Sequence, residues 1–130
     1  MLVLDSDFII HVFRKDSAVA QKLDELEMLE EPIATTVFNA HEVCLGAAKT
    51  KTPSNIDKTL RLVTSLNILN YDLECMHHAV ELIRFLEEKG QIIGIFDELV
   101  ASVCLANNAT LLTRNTKHFS RVPGLKITSW

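Results

Sequence analysis

The sequence predicts an α/β fold, in three layers α/β/α, with a mainly parallel central sheet of four or five short strands. Three observations predict it. Short apolar runs without polar alternation, such as Leu2-Val3-Leu4 and Leu111-Leu112, read as strands buried on both faces. These runs alternate with longer stretches of helical periodicity, the pattern of strand–helix–strand units. Finally, 130 residues at 48% apolar composition can bury one sizeable core but not two ordinary ones, so residues 1–130 are expected to form a single domain.

Taken in order, the first strand runs into Asp5-Ser6-Asp7, and a short helix is expected from Asp7 to Arg14 with Ser6 or Asp7 as its N-cap. Asp16 or Ser17 opens a second helix, carried by Val19, Leu23, Leu26 and Glu30 and stopped by Pro32. Ile33 to Thr36 is a second strand, and Thr36 caps a third helix to about Ala48. After a linker at Thr50 to Pro53, Ser54 caps a fourth helix through Leu66, and Asn67 to Asn70 forms a third strand. Asp72 caps the longest helix, Leu73 to Lys89, whose stripe of Leu73, Met76, Val80, Ile83 and Leu86 is expected to face inward, with Gly90 closing it. Gln91 to Phe96 is a loop, and Asp97 opens a helix to about Asn107, with Asn107-Asn108 supplying the left-handed residue at its end. Thr110 to Thr113 is a strong strand, Asn115 to Phe119 a helical turn, and Leu125 to Thr128 a last strand after the break at Pro123-Gly124.

Composition excludes several classes. Four Gly and three Pro do not fit a disordered or low-complexity chain. No apolar segment approaches the roughly 20 residues needed to span a bilayer, so no membrane association is expected. The start lacks a basic region followed by a long apolar core, so no secretory signal is expected. Cys44, Cys75 and Cys104 are odd in number and widely spaced in helical patterns, which suits reduced thiols in a cytoplasmic protein. Net charge −4 argues against a general nucleic-acid coat, yet residues 99–130 hold four bases (Arg114, Lys117, Arg121 and Lys126) and no acid. An acidic body with a basic segment suits an anionic substrate held near a cation site.

In a parallel sheet the segments that follow the strands gather at one edge, where open α/β sheets place their ligands. Four residues are expected there. Asp5 follows the first strand; Glu42 lies roughly 9 Å along the helix leaving the second, at about 1.5 Å per residue. Asp97 stands at the start of an apolar helix, and Asn115 follows the strand at Leu111 to Thr113 in the position equivalent to Asp5. Taken singly, Asp97 reads equally as an N-cap and Glu42 as a rim residue. Together they are oxygen donors without a matching His or Cys set, which suits Mg²⁺ or Mn²⁺ and the hydrolysis of phosphodiesters.

The stretches LVLDSDFII, FNAHEVCLGA, GIFDELVASVCLANNATLLTRN and HFSRVPGLKITSW resemble, in order and spacing, the PIN-domain nucleases, in particular VapC-like toxins. The resemblance implies that Asp5, Glu42 and Asp97 surround Mg²⁺ or Mn²⁺, with the family's fourth acidic position falling on Asn115. It implies an endoribonuclease cleaving single-stranded RNA, a homodimer, and a small antitoxin as inhibitor. Asp7 and Glu98 are extra acids near the site, and Thr113 supports it through its hydroxyl. Arg114, Lys117 and Arg121 are candidate RNA contacts.

Two alternatives use the same residues. Asp5-Ser6-Asp7 also looks like the opening motif of haloacid-dehalogenase-type phosphatases, with Asp5 as nucleophile and Asp7 as acid–base, but this leaves Glu42 and the last motif unexplained. A degenerate PIN domain kept for partner binding rests on Asn115 alone. The histidines do not form a zinc motif: His77 and His78 are adjacent, and His41 has no second His four residues on. His118 lies where phosphates could approach, and solvated surface is an equal reading. Phe119 and Trp130 read either as stacking partners for bases or as terminal core packing, and core packing is the reading taken.

Overall fold

The computed structural model describes residues 1–28 and 31–130. Among these, β1 (Leu2–Leu4), β2 (Ile33–Thr36), β3 (Asn67–Leu69), β4 (Thr110–Leu112) and β5 (Lys126–Thr128) form one sheet. Its order is β3-β2-β1-β4-β5 and every pairing is parallel. The helices are α1 (Ser6–Phe13), α2 (Ser17–Glu27), α3 (Val37–Lys49), α4 (Pro53–Ser65), α5 (Leu73–Glu88), α6 (Ile95–Ala106) and α7 (Thr116–Phe119).

The apolar runs Leu2-Val3-Leu4 and Leu111-Leu112 have their reason in this arrangement, because successive side chains feed opposite faces of the sheet and both faces are covered. Val3, Ala34 and Leu111 pack on one face with Leu82, Leu86, Val100, Ala101 and Cys104 of α5 and α6, and with Phe119. Leu2, Leu4 and Leu112 pack on the other with Phe8, Ile9, Val19, Leu26, Ala40, Val43 and Val63 of α1 to α4. Strand order reverses direction beside β1: β2 and β3 extend to one side, β4 and β5 to the other. The carboxyl ends of β1 and β4 therefore flank the topological switch point, the expected ligand crevice of such a sheet.

Several elements start or stop where local chemistry differs from expectation. Asp5, not Ser6 or Asp7, caps α1, accepting the Ser6 N–H at 2.8 Å. α2 ends at Glu27, short of the expected stop at Pro32, and Glu30 lies outside the described residues. α4 begins at Pro53, whose missing N–H costs nothing in a first turn, and Ser54 is inside the helix rather than its cap. Gly94 precedes α6, so Asp97 is the third residue of that helix and not its cap. The expected ends hold elsewhere: Thr36 caps α3 through the Asn39 N–H at 3.0 Å, and Asp72 caps α5 through the Cys75 N–H at 3.1 Å. Gly90 and Asn108 take the left-handed conformation, at φ +63° and +47°.

The longest helix turns a different face inward than its large residues suggested. Cys75, Ala79, Leu82 and Leu86 are buried, while Leu73, Met76 and Val80 are 73%, 42% and 54% exposed. Small side chains at Cys75 and Ala79 suit the close seat of α5 against α6, where bulkier residues would hold the helices apart.

Candidate active site

The site grows from the end of β1. The carbonyl of Leu4 accepts hydrogen bonds from Thr35 Oγ1 at 2.9 Å and Asn39 Nδ2 at 3.2 Å, both buried. With β1 fixed in this way, Asp5 is held at both oxygens. Its Oδ1 accepts from the Ser6 N–H and its Oδ2 from the Thr113 hydroxyl at 2.5 Å. Ser6 carries the arrangement onward, its hydroxyl donating to Glu42 Oε2 at 2.6 Å across from α1 to α3.

On the other side, the Asn115 N–H donates to Thr113 Oγ1 at 3.0 Å, and the Asn115 amide nitrogen donates to Asp97 Oδ2 at 3.0 Å. His118 Nδ1 meets the same Asp97 oxygen at 2.7 Å. Glu42, Ser6, Asp5, Thr113, Asn115, Asp97 and His118 thus form one continuous hydrogen-bonded chain around the crevice. The place of Asp97 in the first turn of α6 also gives its carboxylate a favourable helix-dipole position.

Electrostatics mark Asp5 as the strained member. Burial pushes its carboxyl above the usual carboxylate range, the hydrogen bonds from Thr113 and Ser6 pull the other way, and Glu42 and Asp97 push it up further. Three acids converge here, and among the described residues no lysine or arginine pairs with any of them. As placed, they do not close into a ready-made set: Glu42 is drawn to Ser6 and Asp97 to His118, and among the described residues no three His, Cys, Asp or Glu side chains stand close enough to hold a metal. The donor chemistry still fits a hard divalent cation, since the site presents carboxylate oxygens in mutual repulsion and no thiolate.

The remaining candidates divide. Asp7 is 51% exposed and pairs with His11 Nε2 at 3.5 Å, so it does not serve Asp5 as the acid–base partner a phosphatase would need. Burial and, less, the charge of Glu87 on α5 raise the Glu98 carboxyl, and no hydrogen bond among the described residues ties its side chain to the crevice. Glu42 is exposed, as a rim residue is. Arg114 lies over the Trp130 ring at 3.5 Å, and that ring also meets Phe8 and His11 edge-on. Arg121 donates to the Ile92 carbonyl at 3.1 Å, tying the loop before α6, and Lys117 is exposed. Two pairings are not foreseen by the sequence reading, that of Ser6, read only as a candidate cap, with Glu42, and that of His118, read only as near the approach of phosphates, with Asp97. The spacing Asn115-x-x-His118, one turn of helix, was the available signal for the second.

Residues 2–125 match the family model described as PIN domain. The chain is 33% identical over 129 residues to Ribonuclease VapC2 of Rickettsia felis, covering 98% of this chain and 96% of that protein. It is 25% identical over 129 residues to the tRNA(fMet)-specific endonuclease VapC of Shigella flexneri, with coverage of 98% and 96%. Among solved structures, it superposes at TM-score 0.88 on a chain of VapBC2 from Rickettsia felis bound to a DNA fragment from their promoter, at 31% identity, covering 99% of this chain and 98% of that one. A chain of DNA-bound VapBC from Salmonella typhimurium shares the fold, at TM-score 0.88, 22% identity and coverage of 99% and 97%.

Proposed function

The chain belongs to the PIN-domain family, and on that premise we propose that it is a metal-dependent endoribonuclease, the toxin of a type II toxin–antitoxin pair, cleaving single-stranded RNA. The observation that carries this reading is the grouping of Asp5, Glu42 and Asp97 at the switch point, where among the described residues no lysine or arginine pairs with them. The relatives support it: one that the chain matches over 96% of its length is named a ribonuclease, and solved neighbours of the same fold include a toxin–antitoxin complex from Klebsiella pneumoniae. In this reading Asp5, Glu42 and Asp97 hold Mg²⁺ or Mn²⁺, which when bound activates a water and offsets charge on the phosphate oxygens.

The chain's own residues set the geometry. Asp5 is fixed at both oxygens and cannot swing away from the crevice. Ser6 holds Glu42 by Oε2, leaving Oε1 to orient the attacking water. Asn115 and His118 hold Asp97. Asn115 is a neutral amide where a carboxylate would add charge, so any second cation is held more weakly. Arg114, kept in place by its stack on Trp130, and Lys117 bind the RNA backbone. The exposed Leu73, Met76 and Val80 of α5 give a homodimer its apolar contact.

The test is purified protein incubated with single-stranded RNA, with and without Mg²⁺ or Mn²⁺, beside Asp97→Asn. Cleavage is expected to require the cation and to fall about 100-fold or more in the variant, the scale on which loss of one transition-state electrostatic group acts. Equal cleavage by both proteins overturns the role of Asp97; cleavage indifferent to chelator overturns the metal mechanism. For the basic pair, Arg114→Gln with Lys117→Gln is expected to weaken RNA binding and flatten its logarithmic salt slope by about 0.7 per lost phosphate contact. An unchanged slope in a salt titration returns both residues to the surface.

A further inference from the structure

Glu42, Leu45, Gly46 and Lys49 follow one another at helical steps of three, one and three residues along α3, so one face of the helix presents them in a row. With Ile10 of α1 and Phe96 of α6 they line a groove of about 380 Å³ that starts at Glu42. Gly46 is the odd residue there. Glycine in a helix interior is unfavourable relative to alanine, and nothing in the fold demands it. Its backbone is not left-handed, and a Cβ at that position would meet no atom within 4 Å. What glycine preserves is the open width of the groove.

The two ends and the wall of this groove say what it takes. Glu42 belongs to the proposed cation site at one end; Lys49, about 10 Å along the helix at about 1.5 Å per residue, stands at the other. Between them Phe96 is 38% exposed, its ring meeting Phe38 edge-on with centroids 6.0 Å apart, so it presents an aromatic surface to the groove beside Ile10 and Leu45. We propose that the groove is a nucleotide subsite: the base next to the scissile phosphate stacks against Phe96, and the following phosphate meets Lys49. An apolar peptide would satisfy the wall but would leave Lys49 without a partner, whereas a nucleotide chain alternates phosphate and base as the groove alternates charge and apolar surface. The inference rests on the ribonuclease reading of the same site and adds where substrate selectivity is decided.

Gly46→Leu fills the groove from the helix itself, one turn beyond Glu42. Its melting temperature is expected to equal or exceed that of the unaltered protein, which establishes that it folds. Two readouts follow: the rate and positions of cleavage on a long single-stranded RNA, and fluorescence anisotropy of a short mixed-sequence single-stranded RNA on an Asp97→Asn background with Mg²⁺. The subsite predicts binding weakened roughly tenfold by Gly46→Leu, the scale of one lost base-stacking contact, and cleavage limited through KM. Phe96→Ala is expected to alter the preferred base beside the cleavage site, and Lys49→Gln to weaken binding without altering that preference. Unchanged binding, KM and cleavage positions in a folded Gly46→Leu protein overturn the proposal. So does a Gly46→Leu protein that cleaves normally but escapes inhibition by an antitoxin, since the groove would then be a protein-docking surface. If the unaltered protein cleaves no RNA, the ribonuclease reading fails, while the anisotropy comparison still decides whether the groove holds a nucleotide.

Discussion

Asp5→Asn is expected to abolish metal-dependent RNA cleavage and, at neutral pH, to raise the melting temperature of the metal-free protein. Both effects have one cause. Burial, Glu42 and Asp97 all disfavour the Asp5 carboxylate, and the hydrogen bonds from Thr113 and Ser6 do not fully offset them. The folded-state value therefore lies above the unfolded one, whose reference is 3.8. A raised value means the group favours the fold while protonated, fully so below its unfolded value, and that contribution is lost as pH climbs through the folded value. Metal-free protein should accordingly lose stability as pH rises from the unfolded value of 3.8 through the higher folded one. The asparagine amide carries no charge at any pH, so the substitution removes that slope. On the proposed function, Mn²⁺ bound there would supply the missing positive charge, so it should raise the melting temperature of the unaltered protein at neutral pH and do little for Asp5→Asn. Melting curves across pH, with and without Mn²⁺, check this. The same slope in both proteins, or cleavage by Asp5→Asn, overturns the assignment of Asp5.

The second large effect is expected at His118, a residue with no acid to offer. Its Nδ1 meets Asp97 Oδ2 at 2.7 Å, and the Asn115 amide shares that oxygen. Together they fix which way the Asp97 carboxylate faces, a supporting role whose loss typically weakens metal binding by about 10–100-fold. His118→Ala is expected to raise the Mn²⁺ needed for half-maximal cleavage by that factor, with kcat at saturating Mn²⁺ close to unaltered. His118→Gln, which keeps a donor, should recover part of the affinity. The matching Mn²⁺ titration of melting temperature reads the same affinity without relying on turnover. An unchanged Mn²⁺ dependence in His118→Ala removes His118 from the site.

Much of this arrangement was legible in the sequence because local chemistry controls it. Apolar runs too short for helices, such as Leu2-Val3-Leu4 and Leu111-Leu112, become strands covered on both faces; β2 also starts and ends at the expected residues. Thr36, Asp72, Gly90 and Asn108 end or begin helices as their side chains or permitted dihedrals dictate. Asp5 following β1 and Asn115 following β4 could be placed at one edge as soon as the sheet was taken to be parallel. What misled was the competition between nearly equivalent local solutions. At the start of α1, Asp5, Ser6 and Asp7 can all cap, and the outcome follows from the strand register that sets Asp5 in an extended conformation. On α5, periodicity supports two adjacent faces, and hydrophobicity favours the one carrying Leu73, Met76 and Val80. The fold buries Cys75 and Ala79 instead, because a close helix–helix contact rewards small side chains over apolar ones.

The sequence by itself determined the α/β alternation and the positions of the strands, and it placed Asp5 and Asn115 after β1 and β4. Each of those depends on a residue and its near neighbours. Only the tertiary structure decided the pairings: Ser6 with Glu42 across 36 positions, His118 with Asp97 across 21, and Thr113 with Asp5 across 108. Those depend on the strand order that sets β4 directly beside β1. The physical reason is that a hydrogen bond forms over about 3 Å of space, and spacing along the chain does not encode which distant donors the sheet will bring within that reach.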